Sequence, residues 1–161
     1  MVNPRLLFLF IFSCCLCACH SDLKTKFKPL DLASYGIPLI IMAPDSAQVM
    51  KKDYSIMRDI TIRKGNNYYV QIFESTATNA AAEVKKNQLE SVKQDKYFKE
   101  LIQEDANGFI FQKQLDSAII DYDFRFIKIL NDKEIIFQTG MIGTFSLEDV
   151  QLMYEGVSRN Y

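Results

Sequence analysis

All four cysteines of this chain, Cys14, Cys15, Cys17 and Cys19, lie within its first nineteen residues, and its one histidine is His20. No other feature constrains the fold as much, because everything beyond residue 20 must fold without a disulfide, a thiolate or an imidazole. A zinc site of the common Cys/His kind is excluded there, and so are Ser-His-Asp and Cys-His nucleophile arrangements. Stability must come from a hydrophobic core, and the chain after its first eighteen residues is long enough to fill one core in a single domain.

The crowding of cysteines has its own explanation. Arg5 is followed by an apolar run over residues 6–16 and by a small residue, Ala18, the three parts of an export signal. The run is shorter than the roughly 20 residues needed to cross a bilayer core. Leu16-Cys17-Ala18-Cys19 reads as a lipobox, with Leu three places before Cys19 and a small residue directly before it. Residues 1–18 are therefore expected to be a discarded signal peptide, Cys19 the acylated first residue, residues 19–29 a polar tether and residues 30–161 a single domain. An ordinary secretory signal cut after Ala18 is the other reading. Lipidation implies an exported protein held on a membrane, the outer membrane by preference, facing the periplasm or the cell exterior. Lys24, Lys26 and Lys28 of the tether either rest on anionic lipid, at about 1 kcal/mol each, or are solvated.

Without Arg5, nineteen basic residues become eighteen against twenty acidic ones, a formal net charge of −2. That balance argues against nucleic acid as a partner, since phosphate binding needs a basic excess on one face. Twelve Phe and eight Tyr with no Trp, among many Ile and Leu, indicate a β-rich interior and exclude a disordered chain.

Along the chain, residues 30–35 read as a short helical turn and 37–43 as the first strand, closed by Pro44-Asp45-Ser46. Residues 47–54 read as a loop. Residues 58–63 and 68–74 flank Lys64-Gly65-Asn66-Asn67 as a hairpin. Thr78 and Asn79 are N-cap candidates for a helix running from residue 80 to 94, whose stripe of Ala81, Val84, Leu89 and Val92 is narrow enough only to cover a sheet. Residues 97–104 either extend that helix or form a strand, which Ala106-Asn107-Gly108 and the run 109–111 would make into a second hairpin. The longest strand candidate is 119–130, turning at Asn131-Asp132-Lys133 into 134–139. Ser146 with Asp149 is an approximate capping box opening a last helix, on which Leu147, Val150, Met153, Tyr154 and Val157 form the stronger apolar stripe.

This order predicts an α+β fold, a single antiparallel sheet of about six or seven strands with helices packed on it. Tyr35-Gly36-Ile37-Pro38 with Ala43-Pro44, the long central helix, the aromatic hairpins and the opening Phe145-Ser146-Leu147-Glu148-Asp149 resemble the Mog1/PsbP-like α/β/α sandwich over most of residues 30–158. The chain is also similar to small bacterial lipoproteins of that shape. The resemblance implies a non-enzymatic accessory or binding protein and brings no functional residue with it.

Neither Gly-x-Gly-x-x-Gly nor a Walker loop is present, and no cofactor is expected. Glu104, Asp105 and Asp116 sit in turns without the close set of oxygens that calcium requires. Asp121 and Asp123, two apart on one strand, share a face with Arg125; such a row serves acid–base chemistry or a polar ligand, or is the solvent side of a half-covered sheet. If Tyr122, Phe124, Phe126, Val70 and Ile72 face the helices, then Tyr69, Gln71, Phe73, Asp121, Asp123, Arg125 and Gln138 lie opposite. That mixture of aromatics, amides and Arg suits a protein contact, unless another element covers it. The leading expectation is a lipid-anchored, non-catalytic accessory or protein-binding module at the cell envelope; a carboxylate-based enzyme and a small-ligand carrier are the alternatives.

Overall fold

The computed structural model describes residues 27–159; the signal segment, Cys19, Lys24 and Lys26 lie outside the described residues. Within them the chain forms β1 (Phe27–Asp31), a 3-10 turn (Ala33–Tyr35), β2 (Ile40–Pro44), β3 (Gln48–Asp53), β4 (Met57–Lys64), β5 (Tyr68–Thr76) and α1 (Ala81–Lys93). There follow β6 (Phe98–Glu104), β7 (Gly108–Gln114), β8 (Ile120–Leu130), β9 (Lys133–Thr139) and α2 (Leu147–Ser158). No helix among these residues is long and apolar enough to cross a membrane.

The fold is α+β and its strand pairs are antiparallel. Seven strands make the main sheet, in the order β3-β4-β5-β9-β8-β7-β6, while β1 and β2 form a separate two-stranded ribbon. The expectation of a single sheet is thus corrected. The ribbon does not extend the sheet edge because its apolar side chains, Phe27, Ile41 and Ala43, are buried in the core instead. Two further local expectations differ, and one open choice is resolved. Residues 27–29, read with the tether, begin β1: Phe27 is buried with its ring edge-on to Tyr68, and Lys28 pairs with Asp45 at 2.7 Å. Residues 48–53, read as a loop, are edge strand β3. Residues 98–104 are a strand, resolving that choice against helix.

The chain crosses from β5 in the middle of the sheet to β6 at its far edge through α1, then returns by three hairpin steps until β9 pairs with β5. This path puts α1 on one face and leaves the other for α2 and the ribbon. On that near face Ile60, Ile62, Val70, Ile72, Phe124, Phe126 and Phe137 meet Val150, Met153, Tyr154 and Val157 of α2. The Tyr154 ring stands edge-on to both Phe124 and Phe126, each at 5.8 Å, the favoured geometry for ring quadrupoles. The helix begins as its sequence dictates: Ser146 Oγ accepts from the Asp149 N–H, and the Asp149 carboxylate accepts from the Ser146 N–H at 3.3 Å. By contrast α1 begins at Ala80, which has no capping side chain; neither Thr78 nor Asn79 serves. On the far face α1 places Leu89 and Val92 against Phe109 and Phe111, with Phe98 and Leu101 at the margin.

Candidate functional site

Strand parity puts Tyr69, Gln71, Phe73, Asp121, Asp123, Arg125 and Gln138 on the far face, as expected, and the ladder registers Gln71 opposite Gln138 and Gln138 opposite Arg125. They do not form one surface. Asp121 and Asp123 are 3% and 6% exposed and belong to the interior, whereas Tyr69, Phe73, Arg125 and Gln138 are half-buried.

The two carboxylates are occupied by the fold. Asp123 Oδ1 accepts from the backbone N–H groups of Phe124 (2.7 Å) and Thr139 (3.2 Å) and from the Thr139 hydroxyl, and it meets Arg125 Nη1 at 2.9 Å. Asp121 Oδ1 accepts from the Phe145 N–H at 2.8 Å, and Lys113 Nζ spans the pair, 2.8 Å from Asp121 and 3.5 Å from Asp123. These bonds have a structural logic. Pairing of β9 with β8 ends at Gln138, so on that side the N–H groups of Thr139 and Phe145 have no strand acceptor, and the carboxylates supply the acceptors that the neighbouring backbone no longer provides. They thereby fix the path of residues 140–146 into α2. Burial pushes the Asp123 carboxyl upward, but Arg125, Lys113 and the Thr139 hydroxyl outweigh it and hold the group below its ordinary value. A carboxylate kept ionised and buried in this way has no proton to give at neutral pH, and its Oδ1 is fully engaged by the fold.

The remainder of the far face is different. α1 rests on β7 and β8 and stops there, so among the described residues no helix lies over the side made by β3, β4, β5 and β9. Tyr69 lies flat on Gly140, where any Cβ would sit 2.3 Å from the ring, and Arg63 stacks over the same ring at 5.6 Å from its centre. Beside them Phe73 pairs across the ladder with Ile136. Gln71 Nε2 donates to Asp59 Oδ2 at 3.1 Å, yet Gln71 Oε1, Asp59 Oδ1 and Thr61 Oγ1 are buried without a hydrogen-bond partner among the described residues. Three such oxygens on adjacent strands are unusual, since each one left unpaired costs about 1–3 kcal/mol.

Sequence parity therefore found the face but could not separate its halves. Arg63 and Ile136, which belong to the open half, carry no sequence signal beyond their place in the alternation. A second polar cluster was not foreseen at all. Arg58 Nη1 reaches both Glu74 oxygens (3.2 and 3.1 Å) and the Gly36 carbonyl, with Nε on Asp53 at 2.8 Å. It lies beside a cleft of about 530 Å³ that Tyr54, Ile56 and Lys133 also line. Asp53 and Glu74 already engage this guanidinium, so its evident work is to tie the β3–β4 hairpin to the residues before β2. No group of three or more metal-ligating side chains occurs among the described residues. No family model matches the chain, and neither a curated protein nor a solved structure matches it.

Proposed function

We propose that the chain is a lipid-anchored, non-catalytic accessory module of the bacterial envelope, fixed through Cys19 and docking a protein partner on the uncovered half of its far face. One observation carries the docking part: Tyr69, Phe73 and Ile136 stand half-exposed beside Arg63 and Gln138, on the half of the sheet that α1 does not reach. Aromatic and Arg side chains dominate the energetics of protein contacts, and a polar rim around an apolar centre is their usual composition. The anchoring part is supported by Leu16-Cys17-Ala18-Cys19 and the apolar run before it. The succession of three sheet strands, a helix, four strands and a helix is compatible with the Mog1/PsbP-like sandwich, whose members act largely as accessories to larger assemblies, and we adopt that finer fold reading as part of the proposal.

The test places a photo-crosslinking side chain in intact cells at Phe73, and as a control at Lys86, an exposed residue of α1. One envelope protein captured from Phe73, not from Lys86, and lost with Cys19→Ser, is the expected result. Equal capture from both positions, or none, sinks the docking surface. Membrane fractionation of Cys19→Ser addresses the anchor separately: the variant is expected in the soluble fraction, and an unchanged membrane fraction removes the lipid from the account.

A further inference from the structure

The sheet has two ends, and the chain enters at one of them. Phe27, the first described residue, packs on Tyr68 at the start of β5. The β4–β5 turn, the start of β8 and the end of β9 lie at that same end, because the ladder pairs Lys64 with Tyr68 and Val70 with Thr139, and Tyr122 donates to the Phe145 carbonyl. The β3–β4 turn and the β8–β9 turn lie at the opposite end.

The entry end carries large apolar side chains that the fold does not use. Met141 is 81% exposed and Ile142 70%, with Ile119 and Ile120 at 45% and 50%. The segment that presents Met141 and Ile142 is tightly determined. Gly140 has no room for a Cβ under Tyr69, Gly143 has φ of +117°, and Asp123 and Asp121 grip the N–H groups of Thr139 and Phe145 on either side. Of the exposed positions in this tightly held loop, Met141, Ile142, Gly143 and Thr144, the two with the largest side chains are apolar. Large exposed apolar side chains gathered at one end of a fold are a mark of interaction sites.

We infer that this end of the molecule seats on the lipid surface, with Met141 and Ile142 entering the headgroup region and Ile119 and Ile120 beside them. The inference rests on the anchor reading above for its choice of occupant. From Cys19 to Phe27 is eight residues, a reach of no more than about 28 Å when fully extended. An acylated Cys19 therefore holds this end, and not the opposite one, close to the bilayer, and at that effective concentration weak apolar insertion suffices. Both signs of charge are present at this end, where Lys28 pairs with Asp45, Lys64 donates to the Ser46 carbonyl and Asp149 accepts from Asn67, so charge is not taken as the driving term. The consequence is orientation: the sheet stands with its strands leading away from the membrane, and the open half of its far face is turned sideways toward neighbouring proteins.

The chain contains no Trp, so a single introduced one reports cleanly. Ile142→Trp in the full acylated chain, reconstituted on vesicles of phosphatidylethanolamine and phosphatidylglycerol, is expected to show blue-shifted emission and quenching by brominated lipid. Ile56→Trp, at the opposite end and 86% exposed, is expected to show neither. Met141→Ser with Ile142→Ser, in the Cys19→Ser background, is expected to lower residual vesicle binding at least tenfold, the order set by removing two apolar side chains from the contact. Quenching absent at 142, or equal at 142 and 56, overturns the inference, as does a shift at 142 that appears only when membrane proteins accompany the lipid. Mass spectrometry of Cys19 and vesicle sedimentation report the anchor independently, so a chain that is acylated but unquenched fails here alone. If Cys19 proves unacylated, the anchor reading fails, and quenching at 142 by added vesicles still decides the contact.

Discussion

The two halves of the far sheet face are built from similar strands and finished in opposite ways. On the β7–β8 side, α1 lays Leu89 and Val92 over Phe109 and Phe111, and beyond the helix Asp121 and Asp123 are engaged by Lys113, Arg125 and three backbone N–H groups. On the β4–β5–β9 side, aromatic rings stay half-exposed and three buried oxygens find no donor among the described residues. One half spends its side chains on the fold; the other retains side chains whose bonding is incomplete. Substitutions in the covered half should therefore be read out as stability, and those in the open half as association.

The largest effect is expected at Phe111, which is 3% exposed and packed on Phe109 and Phe98. Phe111→Ala should lower the unfolding free energy by about 3–5 kcal/mol, measured by urea denaturation, while crosslinking from Phe73 persists in whatever fraction remains folded. A loss of that crosslink at full folded fraction would show that the two halves are not separable. Next is Asp123→Ala, which strands Arg125 and the Thr139 N–H; breaking a buried ion pair costs about 3–5 kcal/mol, the lower part of that range applying here because Arg125 and Lys113 retain some solvent contact.

Asp123→Asn sharpens the same point through pH. The native carboxyl is held below its ordinary value, so its contribution is fully present above the unfolded value, about 4, and is lost as pH falls through the folded value beneath it. Stability of the unaltered chain should fall over that acid window. Asp123→Asn, less stable at neutral pH, should have a flatter profile there, and two parallel curves would mean that Asp123 is not the group responsible.

The outline of this fold was legible for local reasons. Lys64-Gly65-Asn66-Asn67 and Asn131-Asp132-Lys133 mark hairpins because few residues accept such turns, and Gly65 and Asn131 do take positive φ. Ser146 and Asp149 announced α2 because a capping box is a bond between residues three apart. What escaped was decided at long range. β3 is an edge strand of Lys51, Lys52 and a half-buried Val49, and edge strands suppress the alternation that would reveal them. β1 contains Lys28 and Pro29, and only the burial of Phe27 against Tyr68 makes it part of the core. Asp121 and Asp123 were placed on the correct face by parity, but their burial depends on where β9 leaves the sheet and how residues 140–146 return. No spacing along β8 contains that information.

In the open half, Phe73→Ala should cost only about 1 kcal/mol of stability, a typical value for a side chain that is not fully enclosed, yet reduce partner capture at least tenfold if Phe73 is an anchor. A stability loss like that of Phe111→Ala would place Phe73 with the covered half and erase the distinction.

The smallest expected effect tests the unpaired oxygens. Thr61 Oγ1 is buried on β4 without a hydrogen-bond partner among the described residues. Thr61→Val retains the β-branched shape that a strand favours and removes the hydroxyl whose desolvation is uncompensated. Replacing a buried, unpartnered polar group with an apolar one of the same shape is neutral to stabilising, so the urea midpoint should rise slightly, by the equivalent of about 1 kcal/mol or less, with an unchanged denaturant slope. If the gain in stability comes with weaker capture from Phe73, the oxygen is retained for the partner at the expense of the free chain, a common compromise at binding surfaces. If Thr61→Val instead destabilises, the hydroxyl has a partner in solution, and the open half is set apart by its uncovered aromatics alone.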